Sequence, residues 1–104
     1  MKVGSVVIVN LASPMQRFLG RLLDINPAGI TLRGIDLDAF EDWMNHITAK
    51  EESGVHATTT FFPLHRVEKM ILDQGIGAIP SLSKAFLARV GRSLEEYLEH
   101  EHLE

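Results

Sequence analysis

The 104-residue chain has no cysteine, one tryptophan, one tyrosine and only four prolines. Without thiols it can form no disulfide staple, no thiolate nucleophile and no sulfur-ligated zinc site, so stability must come from an apolar core. Positive charge is also scarce. With 14 acidic against 10 basic residues the formal net charge is -4, which excludes a global field for holding duplex nucleic acid or an anionic membrane. Any nucleic-acid contact must be local. No apolar run approaches the ~18–20 residues that span a bilayer. The first eleven residues lack the length and cleavage site of a secretory signal, so a cytoplasmic chain with no membrane partner is expected. Hydrophobic residues make up 45%, as in folded globular domains, and the length suits one core.

The β-branched run from Gly4 to Leu11 reads as a strand, and Ala12 to Gln16 as the break after it. A second strand is expected from Arg17 to about Ile25, with Phe18 and Leu22 on one face and Leu19, Leu23 and Ile25 on the other. Asn26-Pro27-Ala28-Gly29 then reads as a turn in which Pro27 pre-sets φ and Gly29 supplies a left-handed residue, leading into a third strand over Ile30–Ile35. After Ile35 the period changes. Leu37, Phe40, Met44 and Ile47 recur at helical spacing, with Asp36 or Asp38 as cap, and the polar stretch to Gly54 should end that helix. A fourth strand from about Val55 to Phe62 stops at Pro63, and a tight connection leads to a fifth from Val67 to about Asp73. Gly75 to Pro80 reads as a flexible link. Leu82, Phe86 and Val90 then form a helical stripe capped by Ser81 or Ser83 and ended by Gly91. Ser93-x-x-Glu96 is a capping box for a last helix, with a loose polar tail from Glu99.

Five short strands with apolar residues on both faces cannot stay flat in water. Bending them into a small barrel covers one face, and the C-terminal helices or a neighbouring subunit can cover the other. The expected fold is therefore mainly β with α: a five-stranded small barrel over residues 1–73, with a helical insertion at 36–54 and C-terminal helices over 74–104. Homo-oligomerisation is the default expectation.

The strand Ser5–Leu11, the segment Phe18–Asn26 turning at Gly29 into Ile30-Thr31-Leu32, the insertion and the two closing strands together resemble the Sm-like small barrel. The resemblance covers about Lys2 to Asp73. Gly20-Arg21-Leu22-Leu23-Asp24 matches that family's second-strand pattern loosely, and the helix that usually precedes the first strand has no counterpart. The resemblance implies an oligomeric binding or assembly module that contacts single-stranded RNA. Its two RNA-contacting turns correspond to Asp24-Ile25-Asn26-Pro27, which lacks an aromatic ring, and to Pro63-Leu64-His65-Arg66, which lacks a glycine. Asn26, His65 and Arg66 are thus the nucleic-acid candidates. A turn repeated around a ring would gather positive charge that one copy lacks. The plain alternative for Arg66 is a solvated residue or an ion-pair partner of Glu68.

The other candidate surface is on the insertion. Trp43, Phe40 and Met44 offer large contact area for a partner protein, and equally read as helix core. A protein-interaction module using residues 36–54, with no nucleic acid, is the alternative function. His46 and His56, with Glu51 and Glu52 nearby, lack metal-ligand spacing, and His100 and His102 read as part of a solvated tail. No metal or cofactor is expected. Gly75-Ile76-Gly77 is too short for a dinucleotide fingerprint, Thr58–Thr60 have no base at fixed spacing, and no catalytic constellation is found, so the chain is not expected to be an enzyme.

Overall fold

A computed structural model describes residues 1–51 and 55–102; the expected end of the insertion, Glu52 to Gly54, and the last two residues lie outside them. The chain runs β1 (Val6–Leu11), β2 (Gln16–Asn26), β3 (Gly29–Asp36), a 3-10 turn (Leu37–Ala39), α1 (Phe40–Ala49), β4 (Thr58–Pro63), a second 3-10 turn (Leu64–Arg66), β5 (Val67–Leu72), α2 (Leu82–Val90) and α3 (Leu94–His102). The five strands form one antiparallel sheet in the order β4-β3-β2-β1-β5. The sheet is mainly responsible for the fold, and it is open. A closed barrel was the expectation; instead β4 and β5 are the two outer strands, each hydrogen-bonded to one neighbour.

Open does not mean flat. Phe18 pairs with Asp36 at one end of β3, and Phe62 pairs with Ile30 six residues away, a separation of about 20 Å along an extended strand. The two rings nevertheless touch, with centroids 4.9 Å apart. The sheet therefore curls back on itself, and the curl encloses Val7, Val9, Leu11, Leu22, Ile30, Leu32 and Phe62. Bending was expected to cover one apolar face of the sheet, and the curl does so without hydrogen-bonded closure.

Two backbone features permit the curl. Gly20 and Gly34 face each other across β2 and β3. A Cβ on Gly34 would lie 2.1 Å from the Leu19 carbonyl oxygen, and one on Gly20 would lie 2.7 Å from that of Arg33. The strands approach here more closely than any side chain allows. The register then shifts between Leu22 and Asp24, a bulge that adds local twist. Gly29 also has a steric role rather than the expected left-handed one: it is not among the positive-φ residues, and a Cβ there would meet the Phe62 carbonyl oxygen at 2.2 Å.

The outer face is covered by the helices. Leu19 and Ile35 pack beneath Phe40, Trp43 and Met44 of α1, Phe86 of α2, and Leu94 and Leu98 of α3. Asp36 caps the turn into α1 by accepting from the Asp38 N–H at 2.9 Å, and Lys50 ends the helix in the left-handed region. Ser81 caps α2 and Gly91 closes it at φ 85°, as their sequence positions predict. Ser93 Oγ accepts from the Glu96 N–H at 3.2 Å to start α3, which continues through Glu99 where a loose tail was expected. The link at 75–80 is likewise ordered: Ile76 and Ile79 exchange two backbone hydrogen bonds around Gly77.

Candidate functional site

The short turn Leu64–Arg66 is the junction of the curled sheet. Leu64 donates its N–H to the Ala28 carbonyl in the β2–β3 turn at 2.9 Å, and the Arg66 carbonyl accepts from the Ala12 N–H after β1 at 2.9 Å. Ala12 and Ala28 flank β2 at opposite ends, and ten residue steps from Gln16 to Asn26 would extend over about 33 Å. One three-residue turn reaches both. It is the geometric consequence of the curl, and it brings the segments carrying Asn26, His65 and Arg66 together on one rim.

Each candidate on that rim has a distinct environment. Arg66 is half-buried, and its guanidinium holds the β1–β2 turn: Nε donates to the Ala12 carbonyl at 3.2 Å, while Nη2 donates to the Pro14 carbonyl at 2.9 Å and to Gln16 Oε1 at 3.1 Å. It is neither a solvated arginine nor a partner of Glu68. Asn26 is exposed but engaged at both ends of its amide. Oδ1 accepts from the Ala28 N–H at 2.8 Å, and Nδ2 donates to Asp24 Oδ2 at 2.8 Å, an Asx turn that sets the hairpin. His65 is exposed and stands beside both turns. The rim therefore offers one exposed imidazole and two polar groups whose hydrogen bonds are spent largely on the loops themselves.

Trp43, Phe40 and Met44 do not form a surface. Trp43 is 2% exposed, Phe40 6% and Met44 4%. The Trp43 ring lies 5.3 Å from Phe86 and 6.3 Å edge-on from Tyr97, and Phe40 lies 6.2 Å from Phe86. The docking reading of these three is corrected to helix core, because α2 and α3 fold over α1 and supply the aromatic partners. What α1 turns outward is polar: Glu41, Asp42 and Asn45, the first and last of which receive hydrogen bonds from Arg89 of α2. His46 Nδ1 sits 2.7 Å from the Asp42 carbonyl within its own helix. Among the described residues no group of three or more His, Asp or Glu is placed to hold a metal ion. Among the described residues no helix is long and apolar enough to cross a membrane.

The sheet also buries a charge that its sequence signals only weakly. Arg33, central in β3, is the one buried charged residue among those described, and its partner in register on β2 is Arg21. A lone arginine in an apolar strand is a weak signal, but an arginine on the face that a helix must cover could have been flagged from the alternation Arg33, Ile35 and Leu37.

The fold thus defines a class: a small, curled, open antiparallel sheet with its outer face sealed by three helices and a laced rim of turns. No protein-family model matches the chain, and no curated protein or solved structure is significantly similar to it.

Proposed function

We propose that the chain is a self-assembling binding module of the Sm-like type, in which β4 of one copy pairs with β5 of the next and the rims gather around a common axis. The observation that carries this reading is the pair of outer strands. Each has one unpaired edge, and those edges lie beside exposed apolar residues: Phe61 on β4, and Ile71 and Leu72 on β5. Unprotected edges of this kind are templates for pairing with another chain. A ring would repeat the exposed His65 imidazole and the half-buried Arg66 beside it at regular intervals, a local concentration of polar and basic groups that a chain of net charge -4 lacks. Single-stranded RNA is the ligand class that such a rim suits, since it is held by local basic groups and stacking rather than by a global field. The protein-interaction alternative is less well supported, because the apolar part of α1 is buried.

Light scattering on a size-exclusion column tests assembly: the expected mass is a fixed multiple of 11.6 kDa, reduced to one copy by Phe61→Lys combined with Ile71→Lys while circular dichroism is unchanged. A wild-type monomer at high protein concentration overturns the reading. RNA contact is tested separately by titrating poly-uridine at increasing salt. Binding that weakens with salt and with His65→Ala supports it, and absence of binding by the assembled protein removes RNA from the proposal.

A further inference from the structure

Away from the rim, on the face covered by α3, Arg21, Leu23, Arg33, Leu98 and Glu99 line a cavity of about 280 Å³. Its chemistry is unbalanced. Arg33 is more than nine-tenths buried, and its Nε donates to the Leu98 carbonyl at 2.9 Å. Its Nη2, however, is shut off from solvent and has no hydrogen-bond partner. Buried guanidinium donors are normally satisfied, and an orphan is costly unless something pairs with it. The neighbour makes matters worse: Arg21 lies directly opposite Arg33 across β2 and β3, a like-charge placement that destabilises a sheet. Among the described residues one carboxylate answers the two cations. Glu99 Oε1 accepts from Arg21 Nη1 at 2.6 Å and is two-thirds exposed, so the described lining has two cations for one anion.

From this arrangement we infer that the cavity is a binding site for a small organic monocarboxylate with a short apolar body. The carboxylate supplies the charge and the acceptor that Arg33 lacks, once the guanidinium turns Nη2 toward the space its side chain lines. Leu23 and Leu98 supply the wall for the apolar part, and the volume falls at the lower end of ligand pockets, which limits the body to a few carbons. Glu99 already shows how a carboxylate reaches Arg21. It acts as an internal competitor on the outer cation and leaves the inner one to the ligand.

The test is a titration of the wild-type chain with hexanoate, followed through the Arg33 Nε–Hε resonance, with hexan-1-ol and inorganic phosphate as probes of the two halves of the ligand. A saturable shift with hexanoate alone is expected. Glu99→Gln, a change at an exposed position, should tighten hexanoate binding by up to about fivefold by freeing Arg21. Arg33→Met should abolish it; should that variant not fold, Leu23→Trp fills the cavity from its exposed side and should abolish binding with the charges intact. N-acetyl-Leu-Leu with a free carboxyl, compared with its amide, distinguishes a peptide C-terminus from a free acid as the source of the group. No saturable shift in either wild type or Glu99→Gln, an equal response to hexan-1-ol or phosphate, or binding that survives Leu23→Trp would overturn the inference.

Discussion

Gly34→Ala tests the claim that a close crossing of two strands bends this sheet. The new Cβ would stand 2.1 Å from the Leu19 carbonyl oxygen and 2.6 Å from Gly20 Cα. Ordinary contact begins near 3.4 Å, so β2 and β3 must part by more than about 1 Å, and neither obstacle is a flexible side-chain end. At an unconstrained site the same change stabilises by about 0.4–1 kcal/mol through the unfolded chain. Here overpacking against backbone costs about 3 kcal/mol, the upper part of its usual range, and the net loss is about 2 kcal/mol. For a domain of this size that lowers the midpoint of thermal unfolding by roughly 8–16 °C. Trp43, the one tryptophan and 2% exposed, reports unfolding by its fluorescence. Measurements at one protein concentration keep assembly from moving the midpoint. Gly75→Ala is the control, since its φ lies outside the left-handed region and the nearest atom to a Cβ there, the Ile79 carbonyl oxygen, is 3.3 Å away. Gly34→Ala with wild-type stability would refute the reasoning, since it would mean that the crossing can widen freely and that the curl has another cause.

Four further substitutions separate structural from functional roles. Trp43→Ala removes a ring packed against Phe86 and Tyr97 and should cost about 3–5 kcal/mol, read by urea denaturation monitored by circular dichroism; a docking residue would leave stability unchanged. Asp73→Ala removes the carboxylate that accepts from the N–H groups of Leu82 and Ser83 and from Ser83 Oγ at 2.7–2.8 Å. The expected loss is about 1–2 kcal/mol, as for other helix caps, with hydrogen exchange fastest to rise in α2. Arg66→Ala releases three hydrogen bonds to the β1–β2 turn and should cost about 1–2 kcal/mol, whereas His65→Ala, at an exposed position, should stay within about 0.5 kcal/mol of wild type. Equal stability of the two variants would contradict the lacing role of Arg66.

Local chemistry was legible where it was self-contained. Ser81, Gly91 and Ser93 mark helix ends because capping depends on a few adjacent residues, and the turn at Asn26–Gly29 follows from its own Asx and proline geometry. The even balance left for Trp43 could not be broken from α1 alone, since its partners Phe86 and Tyr97 come from helices some forty and fifty residues later. The close approach of Gly20 and Gly34 is hidden for a related reason. Each is an isolated glycine in a strand, a recognised sign of close backbone approach, but only the register of β2 on β3 reveals that they are opposite one another. Arg33 is the extreme case: the alternation with Ile35 and Leu37 marks its face, but its burial arises from α3 settling on the sheet some sixty-five residues later.

Why the sheet stops short of closing follows from the connection between its two outer strands. A two-residue hairpin would have laid β5 against β4, but Leu64–Arg66 is a 3-10 turn whose backbone groups are directed to Ala28 and Ala12 instead. Pro63, entering that turn at ψ 143°, has no N–H to start a ladder. The junction therefore spends its hydrogen bonds on fastening together the two ends of β2 that the curl brings close, and the outer strands leave it without pairing. The turn that fastens the curl is also the one that leaves the edges unpaired. A chain built this way covers most of its apolar surface internally, one face by self-enclosure and the other with helices, while the outer edges of β4 and β5, beside the exposed Phe61, Ile71 and Leu72, remain to be met by water or by another copy.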